Sequence, residues 1–169
     1  MSNHAILVKT AKREALKSYH GILMCTEPNI QKIIKPFPWT LEKADGNWCA
    51  AFVYYCCILS GFVIPIRPKA CVSSNLAGCA AWEEWAKADE RIAYCPASDT
   101  NFTPIAGDIV LYDRVFIDKE HDHIGIITKT KTNSIVAAEG NINNISGIIE
   151  RQKDTHIRAY IRIPDNFSY

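Results

Sequence analysis

The stretch CAAFVYYCCIL, residues 49–59, decides the fold. It contains neither proline nor glycine, it is apolar on almost every side, and Ser60 and Gly61 follow it, as expected for a helix that ends at a glycine. A helix without a polar face must be enclosed by other elements, so we predict that this segment is the central buried helix. Cys49 stands at its first position, where unpaired backbone N–H groups and the helix dipole favour a thiolate.

The segments around this helix show further helical patterns. Apolar residues recur near helical spacing over residues 5–19, which predicts an amphipathic first helix that ends at Gly21. The remaining predictions are a short helix at residues 29–34, a loop at 39–46 that presents Cys49, a helix at 75–87 and a polar loop at 96–104.

Beyond that loop the apolar pattern changes from helix to strand. Short β-type runs are predicted at Ile109–Tyr112 and at residues 124–128, 135–138 and 159–163. Short loops rather than helices join them, so we expect antiparallel neighbours. The predicted fold class is α+β, with N-terminal helices packed on a C-terminal antiparallel β-sheet, and the length of 169 residues fits one catalytic domain over residues 1–169.

Charge and hydropathy argue against several functions. The chain has 19 basic and 18 acidic residues, a balance that gives no support for binding nucleic acid or an anionic membrane surface. It has no apolar stretch of membrane-spanning length, and its N-terminal region lacks the continuous apolar block of a signal peptide. We therefore expect synthesis in the cytoplasm, and we expect a monomer.

The cysteines favour a reducing compartment. There are seven of them, so at least one is unpaired, and the adjacent Cys56 and Cys57 cannot bridge inside a helix without distortion. No CxxC pair indicates a structural zinc site, and pairing among Cys71, Cys79 and Cys95 stays open.

A base and an orienting carboxylate can be placed by strand register. If residues 123–128 and 134–139 form a hairpin, residue 128 pairs with 134 and His123 lies opposite Glu139. Directly opposed side chains share a face with Cβ atoms roughly 4.5–5.5 Å apart, so Glu139 can accept a hydrogen bond from the imidazole. Cys49, His123 and Glu139 then predict a cysteine nucleophile, its base and the group that orients the base. Asn141, two residues on, would point the same way and could assist or replace Glu139.

Each of these residues also has a purely structural interpretation. An isolated Cys49 would be a packing thiol, an isolated His123 a strand-edge histidine, and an isolated Glu139 a solvated charge. The three together, in this order on a helix-then-sheet chain, favour catalysis. His121 and His123 also form an HxH pair on one strand face, but no third ligand lies nearby, so we expect no metal.

Five motifs carry a resemblance to a known family: Trp48-Cys49-Ala50-Ala51-Phe52-Val53, Ser60-Gly61-Phe62, Gly107-Asp108-Ile109-Val110, His123-Ile124-Gly125-Ile126 and Glu139-Gly140-Asn141. Over about residues 40–165 the chain resembles the CHAP amidase/peptidase domain of the papain-like NlpC/P60 superfamily, which cleaves bacterial peptidoglycan. The resemblance implies a papain-like fold in which Cys49 is the nucleophile, His123 is the general base, and Glu139 with Asn141 orients the imidazole.

The implied reaction is thiolate attack on an amide of peptidoglycan or its stem peptide, followed by hydrolysis of the thioester, with no metal or organic cofactor. The enzyme would be an N-acetylmuramoyl-L-alanine amidase or an endopeptidase of the stem peptide or cross-bridge. Nearness to the motifs makes Trp39, Trp48 and Tyr112 candidate aromatic contacts of the substrate. Asn47 is a candidate second oxyanion donor beside the Cys49 N–H.

Departures from the family leave other interpretations open. Some members bind calcium through an acidic loop before the nucleophile, but here that loop offers only Glu42 and Asp45. A phage or bacterial endolysin released by a holin, or an effector exported by a dedicated machine, would reach the cell wall without a signal peptide. The alternatives are a cysteine amidase or transferase that acts on a peptidyl amide outside the wall, and a non-catalytic binding protein on the same scaffold.

Overall fold

The computed structural model describes residues 2–21, 28–44 and 46–169. Within these ranges the helices come first in the chain, and a set of strands follows. The helices are α1 (Asn3–Ala15), α2 (Gln31–Ile34), α3 (Leu41–Ala44), α4 (Cys49–Leu59) and α5 (Cys79–Ala88). The strands are β1 (Ala93–Pro96), β2 (Ile109–Tyr112), β3 (His123–Thr130), β4 (Ser134–Ile142), β5 (Ile145–Gln152) and β6 (Ile157–Arg162).

The strands form one antiparallel sheet in the order β1-β6-β2-β3-β4-β5. α4 packs against β3 and β4, and α1 packs against α4 and the same part of the sheet. Helices packed on an antiparallel sheet confirm the predicted α+β class and are consistent with a papain-like fold. None of the helices in the described part of the chain is long and apolar enough to cross a membrane.

The central helix has the bounds that its sequence predicts. It begins at Cys49, ends at Leu59 and buries eight of its residues, because the sheet covers one side and α1 and α2 cover another. Gly140 on β4 permits this close packing, since a Cβ there would lie 2.5 Å from the Cβ of Phe52 and 2.7 Å from the ring of Trp48. The strand that carries the candidate carboxylate therefore approaches the start of α4 closely, which only a glycine allows.

Helix ends differ from prediction where local turns intervene. α1 ends at Ala15 rather than at Gly21, and Ser18 adopts a left-handed φ of 53°. α5 begins at Cys79 rather than at residue 75, because the side chain of Asn75 accepts a hydrogen bond from the Ala77 N–H at 3.0 Å and holds this segment in a turn. α3 lies within a segment predicted to be a loop.

Two strands were not predicted, and both lie at the edges of the sheet. β1 and β5 each pair with a single other strand, and their residues are partly exposed. Edge strands that face solvent lack the continuous apolar run by which the central strands are found. This matters for function because β5 supplies a side chain to the candidate site.

Candidate active site

Cys49 is the first residue of α4 and lies in a cleft of about 500 Å³. It is only 6% exposed, so the thiol is reached through this cleft rather than from open solvent. Its backbone N–H belongs to the first turn of the helix, where the N–H groups have no acceptor within the helix and point out of its N-terminal end. A larger pocket of about 620 Å³ beside α2 has no cysteine or histidine among its lining residues, so it is not a candidate for this chemistry.

His123 begins β3 and is fully buried. Its Nε2 lies 2.7 Å from Oε2 of Glu139, which is also fully buried. Nδ1 is buried and has no hydrogen-bond partner among the described residues, which leaves it as the nitrogen available to the thiol. Tyr112 stacks on the imidazole with ring centroids 5.9 Å apart, and Phe116 makes a T-shaped contact with it at 4.8 Å, so two aromatic rings pack against the imidazole.

The predicted register between these strands is wrong by two residues. Ile126 pairs with Ala138 and Ile127 with Ala137, because the turn is shorter than predicted and a bulge interrupts the pairing next to it. Glu139 therefore does not lie directly opposite His123. A displacement of two residues keeps both side chains on the same face, and the hydrogen bond is made diagonally across the strands.

Gly125 makes the diagonal contact possible. A Cβ at this position would lie 2.7 Å from Cγ of Glu139, so the glycine leaves the space through which the carboxylate reaches His123. Gly125 belongs to the His-Ile-Gly-Ile motif, yet nothing in the sequence assigned it a role. A glycine is needed at this position because it leaves room for the side chain of Glu139, and not because the backbone has an unusual φ.

Arg151 on β5 holds the other side of Glu139. Its Nε donates to Oε1 at 2.7 Å and a terminal nitrogen donates to Oε2 at 2.6 Å. Burial alone would raise the pKa of Glu139, but the hydrogen bonds from Arg151 and His123 outweigh it and keep the pKa below its ordinary value. Sequence analysis missed Arg151 because β5 was not recognised as a strand.

The thiol and the imidazole stabilise each other's charged forms. A hydrogen bond with the Cys79 thiol lowers the pKa of Cys49, burial opposes this, and His123 lowers the pKa further, to about 5. Burial would lower the pKa of His123, but Cys49 and Glu139 outweigh it and raise the pKa to about 9. Between these values the site favours a thiolate and an imidazolium, the reactive state of a cysteine nucleophile.

Cys79 is a second thiol at the site. It is the first residue of α5, and its Sγ lies 3.6 Å from Sγ of Cys49. Both cysteines line the cleft. The prediction that a helix begins at residue 75 would have placed Cys79 inside that helix, so its position at a helix end was not foreseen. The six cysteines in the described residues are all free thiols, which include Cys71 and Cys95.

Asn47 and Asn141 both line the cleft. Asn141 has a left-handed φ of 62°, and its side-chain nitrogen donates to the Gly46 carbonyl at 2.8 Å. This bond ties the end of β4 to the loop before Cys49. Because this left-handed φ interrupts the alternation of side chains near the end of β4, the amide of Asn141 is directed to Gly46 rather than to His123, contrary to the expectation from alternation along the strand.

Two predicted aromatic contacts of the substrate are enclosed in the protein. Trp48 is fully buried and its Nε1 donates to Oδ1 of Asn144 at 2.9 Å. Tyr112 is fully buried behind His123. Neither lines the cleft, so the prediction that they contact substrate is corrected: Trp48 is bonded to Asn144, and Tyr112 packs on the imidazole. Trp39 does line the cleft.

No group of three or more metal-ligating side chains is present within residues 2–21, 28–44 and 46–169. In the HxH pair, Nε2 of His121 lies 2.6 Å from Oε2 of Glu83 on α5, whereas Nε2 of His123 lies 2.7 Å from Oε2 of Glu139, so the two histidines have different carboxylate partners. Of the two acidic residues before the nucleophile, Glu42 is exposed and Asp45 lies outside the described residues.

Comparisons with known proteins identify the family. The model of the CHAP domain family matches residues 42–141, more than half of the chain and the part that holds Cys49, His123 and Glu139. The chain is also similar to a solved structure titled "The crystal structure of Ly7917", with a TM-score of 0.56 and 12% identity. That likeness covers 98% of this chain and 63% of the other, and it shows the fold alone. No curated protein matches the chain significantly.

Proposed function

Because the chain belongs to the CHAP domain family, and so to a group of peptidoglycan-hydrolase-like amidases and peptidases, we propose that it is a cysteine hydrolase that cleaves an amide bond in bacterial peptidoglycan. One observation carries the proposal: Cys49 at a helix start, with the buried His123–Glu139 pair beside it, opens into a cleft. These are the groups that acyl transfer through a thiol requires.

In the proposed reaction the Cys49 thiolate attacks the amide carbonyl carbon. The N–H of Cys49 and the side chain of Asn47 donate to the oxygen that becomes negative. The His123 imidazolium gives its Nδ1 proton to the leaving amine as the C–N bond breaks, and a thioester remains. His123 then takes a proton from water, which attacks the thioester and releases a carboxylate and the free thiol.

Glu139 and Arg151 act through His123 in this scheme. Glu139 accepts a hydrogen bond from Nε2, which fixes the tautomer that leaves Nδ1 toward the thiol. Arg151 neutralises the buried carboxylate and fixes its orientation through two hydrogen bonds. Both are positioning residues, because neither reaches the reacting atoms.

The shape of the cleft supports a linear substrate. A second pocket of about 470 Å³ continues the cleft, and the two share the residues around Asn141 and Ile117. An open groove made of two joined pockets suits a peptide or a glycan-linked peptide better than a small enclosed molecule. Lys43 and Lys119 line the part that contains Cys49, and their charges complement the carboxylates that stem peptides carry.

Digestion of purified peptidoglycan tests the proposal. We expect the wild type to release soluble fragments and Cys49→Ala to release none, while Cys95→Ser, which alters a thiol outside the cleft, behaves as wild type. Mass spectrometry of the new termini distinguishes cleavage at L-alanine from cleavage within the stem peptide or cross-bridge. If the wild type releases nothing although Cys49 reacts selectively with iodoacetamide, peptidoglycan is not the substrate. If Cys49 does not react either, cysteine catalysis is refuted.

A further inference from the structure

The thiol pair in the cleft has a geometry that the hydrolytic reaction does not need. Sγ of Cys79 lies 3.6 Å from Sγ of Cys49, and each residue begins a different helix. A disulfide requires a sulfur separation of about 2.05 Å, so the two atoms must approach by about 1.5 Å. Both side chains face the same cleft, whose volume gives the sulfurs room to move and gives a small oxidant access.

The other thiols of the described chain do not share this arrangement. Cys56 and Cys57 are fully buried inside α4, where burial raises the pKa of both thiols. Cys71 donates a hydrogen bond to the Ala81 carbonyl at 3.3 Å and lies away from the cleft lining. Reaction with an oxidant depends on thiolate character and access, and Cys49 has both.

We propose that Cys79 is a resolving cysteine for Cys49, so that hydrogen peroxide entering the cleft converts the pair into a disulfide and switches the nucleophile off reversibly. The Cys49 thiolate attacks one peroxide oxygen, the O–O bond breaks, and Cys49 becomes a sulfenic acid while the departing hydroxide takes the proton of the His123 imidazolium and forms water. The Cys79 sulfur then attacks the Cys49 sulfur, the S–O bond breaks, and the proton of Cys79 leaves with the second hydroxide as water. Two thiols and one hydrogen peroxide give one disulfide and two waters.

The consequence is protection as well as inactivation. A cysteine with no neighbouring thiol passes from sulfenic to sulfinic acid under continued peroxide, and that step is irreversible for most proteins. A disulfide with Cys79 stops the sequence at a stage that a thiol reductant reverses. The pair would therefore allow the enzyme to survive oxidising conditions in an inactive form.

Intact mass spectrometry of the whole chain, without any wall substrate, tests this directly. Wild type, Cys79→Ser and Cys95→Ser are treated with hydrogen peroxide, blocked with N-ethylmaleimide and weighed. We expect wild type and Cys95→Ser to lose two hydrogens and two reactive thiols, with fragment ions that link Cys49 to Cys79. We expect Cys79→Ser to gain two oxygens at Cys49 instead.

Recovery with dithiothreitol gives the second measurement. Reactivity of Cys49 toward iodoacetamide, relative to an untreated sample of the same variant, should return in wild type and stay at least about fivefold lower in Cys79→Ser. The proposal is refuted if wild type accumulates sulfinic acid at Cys49 at the same rate as Cys79→Ser, or if peroxide leaves Cys49 unchanged. Because no hydrolysis is measured, these results stand whether or not peptidoglycan is the substrate.

Discussion

Replacing His123 with alanine should raise the pH at which Cys49 becomes reactive. In the wild type the hydrogen bond with Cys79 and the imidazolium of His123 overcome burial and hold the pKa of Cys49 at about 5. The variant keeps the burial, which opposes ionisation, and loses the positive charge. An opposite charge next to a titrating group shifts its pKa by roughly one to three units, so we expect the pH midpoint of Cys49 reactivity to rise by that amount.

Two opposing effects of the low pKa set the reactivity of the Cys49 thiol in the wild type. At pH 6 a thiol with a pKa of about 5 is roughly nine-tenths ionised, whereas a thiol at the ordinary value is about one-thousandth ionised. A lower pKa also weakens the thiolate as a nucleophile, by about 40- to 100-fold over four units at a Brønsted slope of about 0.4–0.5. Cys49 should therefore react about 10- to 20-fold faster at pH 6 than an ordinary thiol.

The assay is the rate of alkylation by iodoacetamide between about pH 4 and about pH 10, followed at Cys49 by fragment ions in mass spectrometry. The labelled cysteine must be identified by fragment ions because Cys56 and Cys57 lie on the same tryptic peptide as Cys49. Burial raises the pKa of both thiols and should keep them unlabelled. His156→Ala is a matched control, since this exposed histidine lies outside the cleft lining and its loss should leave the midpoint unchanged.

Either of two results would refute the reasoning. A wild-type midpoint near the ordinary value for cysteine would mean that no thiolate–imidazolium pair forms. A low midpoint that is the same in His123→Ala would mean that the imidazole does not stabilise the thiolate. In that case the hydrogen bond with Cys79 and the helix start would have to account for the ionisation of Cys49.

Three further predictions concern the same site. Hydrolysis should rise as the pH passes about 5, where the thiolate forms, and fall as it passes about 9, where the imidazolium loses its proton, which a pH profile of kcat/KM measures. Gly125→Ala should lower kcat about 100-fold with an unchanged circular dichroism spectrum, because the new Cβ displaces Glu139. The control Gly147→Ala should keep its activity, since a Cβ there meets only an ordinary contact at 3.5 Å. Equal activities of the two variants would contradict the packing argument. Arg151→Met should lower the free energy of unfolding in urea by about 3–5 kcal/mol, because it leaves the buried carboxylate of Glu139 without its arginine partner. A change in this free energy within experimental error would show that His123 alone satisfies Glu139.

The interactions that hold Glu139 extend across three strands. His123 lies on β3, Glu139 on β4 and Arg151 on β5, while Tyr112 on β2 stacks against the imidazole. The guanidinium of Arg151 also lies over the Tyr112 ring, 5.1 Å from its centroid. The candidate base is therefore positioned by four adjacent strands, which fixes it more rigidly than a loop would.

The sequence alone determined the central helix and the identities of the candidate catalytic groups. The run from Cys49 to Leu59 is apolar on all sides and lacks helix breakers, so local physics sufficed to predict both its bounds and its burial. Alternation along strands placed His123 and Glu139 on one face. That conclusion survived an error of two residues in register, since side-chain direction repeats every two residues.

Only the tertiary structure decided how these groups are held. Arg151 comes from an edge strand whose pattern is too polar to recognise, and Cys79 comes from a helix that begins later than its composition suggests. Gly125 matters because the side chain of Glu139 occupies the space where a Cβ would lie, and only the folded sheet brings the two together. These contacts join residues far apart in the chain, so they depend on sheet register and helix packing rather than on any local pattern.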